Sequence, residues 1–223
     1  MRTLAFLAVA ASLTAAAPVF AADAPPGPVL NDTPQAKVGV LPPGLGLRVG
    51  DKAPDAEVLD LQGQPVKLAG LYAQGPVFLV FYRGGWCPFC NRQLHNLAAA
   101  KEQFDAKGLK LAAISVDRPS EEAKTQAKQG VPFPMLSDSK LAAHQAFKVV
   151  HQPGEQERAA FKQYGLDLAA YSGEAHGAFA VASMFLIDKG GTIRFAHADD
   201  DYKTRPSVKQ MLAAAEAAGL AKK

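Results

Sequence analysis

The chain has 223 residues, 48% hydrophobic and 20% charged, a balance typical of one globular domain with appendages. This composition excludes a chain that is disordered along its whole length. The 24 basic and 21 acidic residues leave a net charge of +3 without any dense run of Lys and Arg, so a nucleic-acid partner is not indicated.

The first residues have the pattern of a secretory leader. Arg2 is followed by an apolar run over 4–17, and small residues then precede a cleavage position after Ala21. A run of about 14 apolar residues is too short to span a bilayer, and no cysteine near the cut could take a lipid anchor. We therefore expect residues 1–21 to be a signal peptide and the protein to be exported, to the periplasm or outside the cell. No membrane insertion is expected after cleavage.

Residues 22–47 are rich in Pro, Gly and Ala, and they predict an extension with little structure of its own. The folded domain is expected to span 48–221. Apolar and alternating segments predict its strands. They are a small hairpin over 58–60 and 66–68, buried strands over 77–82 and 111–116, and a second hairpin over 184–187 and 192–195.

Helical patterns fill the intervals between these strands, with Gly108 and Gly130 as stops. The predicted helices cover 88–107, 120–129, 139–147, 155–164 and 207–218. This alternation predicts an α/β protein with a central mixed sheet, mainly parallel, between helices on both faces. The segment 151–177 is an elaboration for which the sequence indicates no role.

The two cysteines lie where the first buried strand passes into the long helix. They belong to the stretch Phe81-Tyr82-Arg83-Gly84-Gly85-Trp86-Cys87-Pro88-Phe89-Cys90. Pro88 is suited to the first helical position, which makes Cys87 the N-cap and puts Cys90 at the third position. Side chains three apart share a helix face, and the helix N-terminus favours a thiolate. The pair is therefore predicted to be a redox-active disulfide, Cys87–Cys90.

Other interpretations of the cysteine pair stay open. A structural disulfide across so short a loop would stabilise the fold by only about 2 kcal/mol. Zinc requires about four ligands, and neither His95 nor the other histidines have metal-binding spacing. Copper delivery by two thiolates and a distant histidine is a minor alternative. We predict no metal and no bound cofactor, because two cysteines can cycle electrons unaided.

Neighbouring residues suggest supporting roles. Gly84 and Gly85 allow close backbone approach, and Trp86 offers an apolar wall to a substrate. The Arg83 guanidinium is suited either to stabilise a thiolate or oxyanion or to form a surface salt bridge. Arg205 follows the acidic run 199–201 and is predicted to pair with those carboxylates.

With these residues in place, the chain resembles the peroxiredoxin-like branch of the AhpC/TSA (alkyl hydroperoxide reductase and thiol-specific antioxidant) superfamily. The likeness rests on VGDKAP at 49–54, the cysteine stretch, FPMLSD at 133–138 and FLIDKGG at 185–191. It implies a thioredoxin-like fold and reduction of hydroperoxides by a cysteine thiolate.

In that family's signature a Pro is followed after four residues by Thr or Ser, and after three more by the attacking Cys. Arg83, Cys87 and Cys90 occupy these places in turn. The resemblance therefore implies that Cys90 attacks the peroxide and Cys87 resolves the product. The chain departs from the signature at the first two places. It also has Ala182 where the family usually has an arginine at the start of a late strand.

The same layout fits thiol–disulfide oxidoreductases, in which Cys87 would be the exposed nucleophile and Cys90 the resolving thiol. The expected function is thus a thiol peroxidase, with protein disulfide exchange as the alternative. The expected partners are a hydroperoxide or disulfide substrate and a thiol reductant protein that returns electrons to the pair.

Overall fold

The computed structural model describes residues 28–199 and 201–222. The predicted signal peptide, 1–21, and its cleavage position lie outside these residues. Among the helices described, none is both long and apolar enough to cross a bilayer.

The described chain folds as an α/β protein. Its strands are β1 (Asn31–Asp32), β2 (Glu57–Leu59), β3 (Pro65–Lys67), β4 (Val77–Phe81), β5 (Lys110–Ser115), β6 (Met135–Ser137), β7 (Val150–His151), β8 (Phe179–Ala180), β9 (Ser183–Ile187), β10 (Ile193–Ala198) and β11 (Thr204–Arg205). Its α-helices are α1 (Ala69–Tyr72), α2 (Pro88–Ala99), α3 (Lys101–Ala106), α4 (Pro119–Gln129), α5 (Ala142–Ala146), α6 (Glu155–Gln163), α7 (Leu168–Ser172) and α8 (Val208–Ala217).

Seven strands form the central sheet in the order β10-β9-β4-β5-β6-β2-β3. The central pairs β4–β5 and β5–β6 are parallel, and the pairs outside them are antiparallel. The predicted mixed sheet is confirmed, but the expectation of a mainly parallel sheet is wrong. Both predicted hairpins join the same sheet, one at each end, and each adds antiparallel pairs to a three-stranded parallel centre.

Side chains of β4 alternate between two cores, as the pleat of a strand requires. One core takes Phe78 and Val80, and Tyr82 directly after the strand, together with side chains of α2, α3 and α8. The other takes Val77, Leu79 and Phe81 together with side chains of α1 and α5. The prediction of helices on both faces is therefore confirmed, and the cysteines lie in the first core.

Two helices differ from their predicted extents. The helix expected over 88–107 is divided at Ala100, which leaves the helical region with φ −97° and ψ 4°. The helix expected over 139–147 is confined to α5, because Leu141 adopts a left-handed conformation with φ 63° immediately before it.

The described part of the N-terminal extension has more structure than the sequence indicates. Its strand β1 pairs in parallel with β11. Further along, the Val40 carbonyl accepts a hydrogen bond from the Ala198 N–H at 3.3 Å, and the Gly46 N–H donates to the Lys148 carbonyl at 2.8 Å. These contacts join distant parts of the chain, so local composition does not reveal them.

Candidate active site

The cysteine pair lies at the carboxyl end of β4, where the chain turns into α2. Cys87 is the N-cap with φ −89° and ψ 112°, and Pro88 is the first helical residue. The backbone N–H of Cys90 donates to the Cys87 sulfur at 3.4 Å. The helix start predicted from Pro88 is therefore confirmed, and both sulfurs lie at the positive end of the helix.

Both cysteines are free thiols and both are buried, with exposed fractions of 1% for Cys87 and 0% for Cys90. Their side chains hydrogen-bond to each other. A reactant must therefore be small, or the groups covering the pair must move before a large one can reach either sulfur.

The surroundings shift the pKa values of the two thiols in opposite directions. Burial raises the pKa of Cys90, but the hydrogen bond from Cys87, the charges of Arg205 and Arg83 and the backbone N–H of Arg83 outweigh it and lower the pKa to about 6. The hydrogen bond to Cys90, followed by burial, raises the pKa of Cys87 well above its usual value. The surroundings therefore favour the thiolate at the inner cysteine, Cys90, over Cys87.

The two glycines before Trp86 are required by close approach. Gly84 has φ +142°, and a Cβ there would lie 2.4 Å from the Trp86 Nε1. A Cβ on Gly85 would lie 2.0 Å from the Thr125 Oγ1. The N–H of Gly85 donates to a carboxylate oxygen of Asp117 at 2.7 Å, which fixes the loop against the connection between β5 and α4. The predicted close backbone approach is therefore present.

The surroundings of Arg83 are compatible with both roles that the sequence leaves open. Its guanidinium carbon lies 4.9, 4.6 and 4.4 Å from the ring centroids of Trp86, Phe179 and Tyr202. It is 8% exposed and lies 3.5 Å from the Glu157 carboxylate. Arg83 is thus an ion-paired arginine, but a buried one whose charge also acts on Cys90.

A cavity of about 240 Å³ opens on the outer side of Arg83. The segment 151–177 supplies Glu157 to its wall, and the Nε2 of His151 lies 2.7 Å from that carboxylate. Ala182, in the place of the family's usual arginine, also lines the cavity. The full lining is Arg83, His151, Glu157, Phe179, Ala180, Val181, Ala182, Asp199 and Tyr202.

Arg205 has different partners from those that the sequence predicts. It is 4% exposed, its Nε donates to the Gln93 Oε1 at 3.0 Å, and its Nη1 donates to the Thr204 carbonyl at 2.7 Å. It forms no salt bridge with Asp199 or Asp201, so the predicted pairing is wrong for these two. Its backbone pairs with Asp32 of β1, and its side chain is buried.

A buried acidic cluster, Asp117 and Glu122, lies beneath the loop and is not indicated by the sequence. Burial raises the pKa of Asp117 to about 7, and it raises that of Glu122 well above its usual range. Glu122 accepts hydrogen bonds from the hydroxyls of Tyr82 and Ser115. The composition of α4 is the sequence feature that could have indicated this cluster. The buried residues of this helix are Glu122 and Thr125, and neither is a large apolar residue.

No three His, Cys, Asp or Glu side chains of residues 28–199 and 201–222 are grouped so that they could hold a metal ion. His95, considered as a ligand from its position on α2, is half-buried on that helix.

The family model described as "AhpC/TSA family" matches residues 49–196. The chain belongs to the AhpC/TSA family. A Mycobacterium tuberculosis protein named as a peroxiredoxin is 30% identical over 147 residues, which cover 66% of this chain and 82% of that protein. The thiol-disulfide oxidoreductase ResA of Bacillus anthracis is 30% identical over 93 residues, which cover 41% of this chain and 53% of ResA.

The crystal structure of peroxidoxin BcpB from Mycobacterium tuberculosis superposes with a TM-score of 0.60, 19% identity, and coverage of 80% of this chain and 99% of that one. At this identity the likeness establishes the fold. The predicted family and its thioredoxin-like fold are thus confirmed. The individual roles of Cys87, Cys90, Arg83 and Trp86 stay predictions.

Proposed function

We propose that the protein is a thiol peroxidase in which Cys90 attacks the hydroperoxide and Cys87 resolves the product. The observation that carries this assignment is the asymmetry of the pair, since surrounding groups favour the thiolate at Cys90 and disfavour it at Cys87. The thiolate is the reactive form of a cysteine. Membership of the AhpC/TSA family supports the same chemistry.

In the proposed cycle, the Cys90 thiolate attacks the terminal oxygen of the hydroperoxide. The S–O bond forms, the O–O bond breaks, and the leaving oxygen takes a proton to become an alcohol, or water from hydrogen peroxide. Cys87 then attacks the sulfenic sulfur of Cys90, which releases water and forms the disulfide. A dithiol reductant protein transfers two electrons to the disulfide, restoring both thiols as it is itself oxidised.

Burial bears on the choice between peroxidase and disulfide exchange. In disulfide exchange, the disulfide of the protein substrate must come into direct contact with the attacking sulfur. Cys87 is only 1% exposed, which disfavours such an approach. A hydroperoxide is small enough to enter a covered site. The partial likeness to ResA keeps disulfide exchange as the second candidate, and it requires Cys87 to be the nucleophile.

The test is stopped-flow fluorescence of the reduced protein mixed with hydrogen peroxide or an organic hydroperoxide. Trp86 is the single tryptophan, and it precedes Cys87. We expect oxidation far faster than that of a free thiol. The fast step should be lost in Cys90→Ser and kept in Cys87→Ser, which stops at the sulfenic acid.

The matched control is the reduction of a protein disulfide by the same three proteins. The peroxidase assignment would be overturned if peroxide oxidised the protein no faster than it oxidises a free thiol, while the protein reduced disulfides rapidly and only Cys87→Ser abolished that reduction. Disulfide exchange would then be the function.

We also infer that the protein works after export, on the strength of the leader pattern in residues 1–21. The reductant is then a thiol protein that acts in or across the envelope. N-terminal sequencing of the protein from an envelope fraction tests this inference, with an N-terminus near Ala22 expected. An intact Met1 in a cytosolic fraction would contradict it.

A further inference from the structure

Arg205 is a buried cation held by neutral groups. Its Nε and Nη1 donate to an amide oxygen and a backbone carbonyl, and its Nη2 has no hydrogen-bond partner among the described residues. Taking a guanidinium out of water costs several kcal/mol unless an anion lies nearby. Asp201 feels the charge of Arg205 but forms no salt bridge with it. A buried anion close to this guanidinium would therefore be stabilised by it.

The position of Arg205 points to Cys90. The amide that holds it belongs to Gln93, which follows Cys90 by three residues on α2. Side chains three apart lie on the same helix face, about 5–6 Å from each other. Gln93 therefore holds the guanidinium against the buried face of α2 that also contains Cys90, and the charge of Arg205 is among the causes that lower the pKa of Cys90.

We infer that Arg205 is the positioning residue that supplies the cation opposite the Cys90 thiolate. It does so from β11, whereas the arginine usual in the family would stand at the place of Ala182. This inference rests on the proposed function, in which Cys90 is the nucleophile. The anion that Arg205 stabilises is the thiolate in the resting protein.

The N-terminal segment holds the backbone of Arg205 in place. The Thr33 N–H donates to the Arg205 carbonyl at 2.9 Å, and the Gln210 Nε2 donates to the Thr33 carbonyl at 2.7 Å. Thr33 is buried. Thr33, directly after β1, thus links α8 and β11, which gives the extension a role in setting the charge at the thiolate.

Other charged groups act on the same sites. Arg83 and the Cys87 thiol also lower the pKa of Cys90, and the Cys90 charge contributes to raising the pKa of Asp117, which lies between β5 and α4. On the side of Arg205, burial and the guanidinium charge lower the pKa of His197, and Arg205 contributes with the Lys203 N–H to lowering that of Asp201. Arg83 differs from Arg205 in having the carboxylate of Glu157 beside it.

The experiment titrates the single thiol of the Cys87→Ser protein by thiolate absorbance at about 240 nm and by alkylation rate against pH. We expect Arg205→Met to raise the apparent pKa of Cys90 by about one pH unit, since the interaction of opposite charges is lost. The alkylation rate at pH 6 should then fall about five-fold. Arg205→Lys should recover part of the change, because it keeps the charge without the planar hydrogen bonds.

The matched control is Arg194→Met, which removes an exposed arginine from β10 and should leave the titration unchanged. A folded Arg205→Met with an unchanged pKa of Cys90 would overturn the inference. If Arg205→Met does not fold, Gln93→Leu is the deciding variant. Releasing the guanidinium should also raise the pKa of Cys90, and an unchanged pKa would overturn the inference.

The role of Arg205 and the peroxidase proposal can fail separately. Slow peroxide oxidation with a pKa of Cys90 that depends on Arg205 would refute only the peroxidase proposal. Fast oxidation with a pKa that does not depend on Arg205 would refute only the role of Arg205.

Discussion

Because the surrounding groups lower the pKa of Cys90, we predict that the stability of the reduced protein depends on pH. An acidic group whose pKa is lower in the folded than in the unfolded protein stabilises the fold at pH values above its unfolded pKa. This contribution is lost as the pH falls through its folded pKa. For Cys90 the window runs from about 8.5, the usual pKa of a cysteine, down to about 6. Cys87→Ser is the suitable background, since it leaves one thiol and keeps a hydroxyl that can donate to Cys90.

The magnitude follows from the separation of these two values. A gap of about 2.5 pH units, at about 1.4 kcal/mol each, amounts to about 3 kcal/mol of thiolate stabilisation. Cys90 is 0% exposed, so solvent screening does not reduce this figure greatly. Asp117 changes it slightly, because its pKa is raised in part by the Cys90 charge.

The assay is urea unfolding of reduced Cys87→Ser with and without Cys90→Ser, at several values between about pH 5.5 and 9. We expect the difference in the free energy of unfolding to increase by about 3 kcal/mol in favour of the thiol-containing protein as the pH rises. A difference that stays flat over this range would refute the reasoning, since it would mean that the fold does not favour the Cys90 thiolate.

Three further predictions concern the surroundings of the pair. Gly85→Ala should destabilise the protein by about 1–3 kcal/mol because its Cβ would lie 2.0 Å from the Thr125 Oγ1. In thermal unfolding, Thr125→Ala in the same chain should restore most of the loss, and additive losses would argue against the clash. Tyr202→Ala removes a ring that lies 4.4 Å from Arg83, so a bulky disulfide reagent should react several-fold faster with the pair, and an unchanged rate would show that Tyr202 does not limit access. Glu122 has a raised pKa, so its stabilising contribution is full below its unfolded pKa of about 4.3 and is lost as the pH rises. Wild-type stability relative to Glu122→Gln should therefore fall with rising pH in urea unfolding, and a rise would contradict this assignment.

Much of the site is encoded locally and was predicted from the sequence. The helix start at Pro88, the N-cap position of Cys87 and the placement of Cys90 on the same face depend on residues within one turn of each other. The apolar runs that form the buried strands are equally local signals. These features follow from backbone restrictions and side-chain periodicity, which act over a few residues.

Other features depend on contacts between distant residues. The bond from Arg205 to Gln93 spans 112 positions, and the sequence around Arg205 suggested neighbouring carboxylates instead. Burial of Glu122 and the ordered strand β1 likewise arise from packing between separate elements. The sequence alone therefore determined which two sulfur atoms form the pair. Only the tertiary structure distinguishes them and favours the thiolate at Cys90, because the acidity of a buried group depends on the charges and the dielectric that the rest of the fold brings to it.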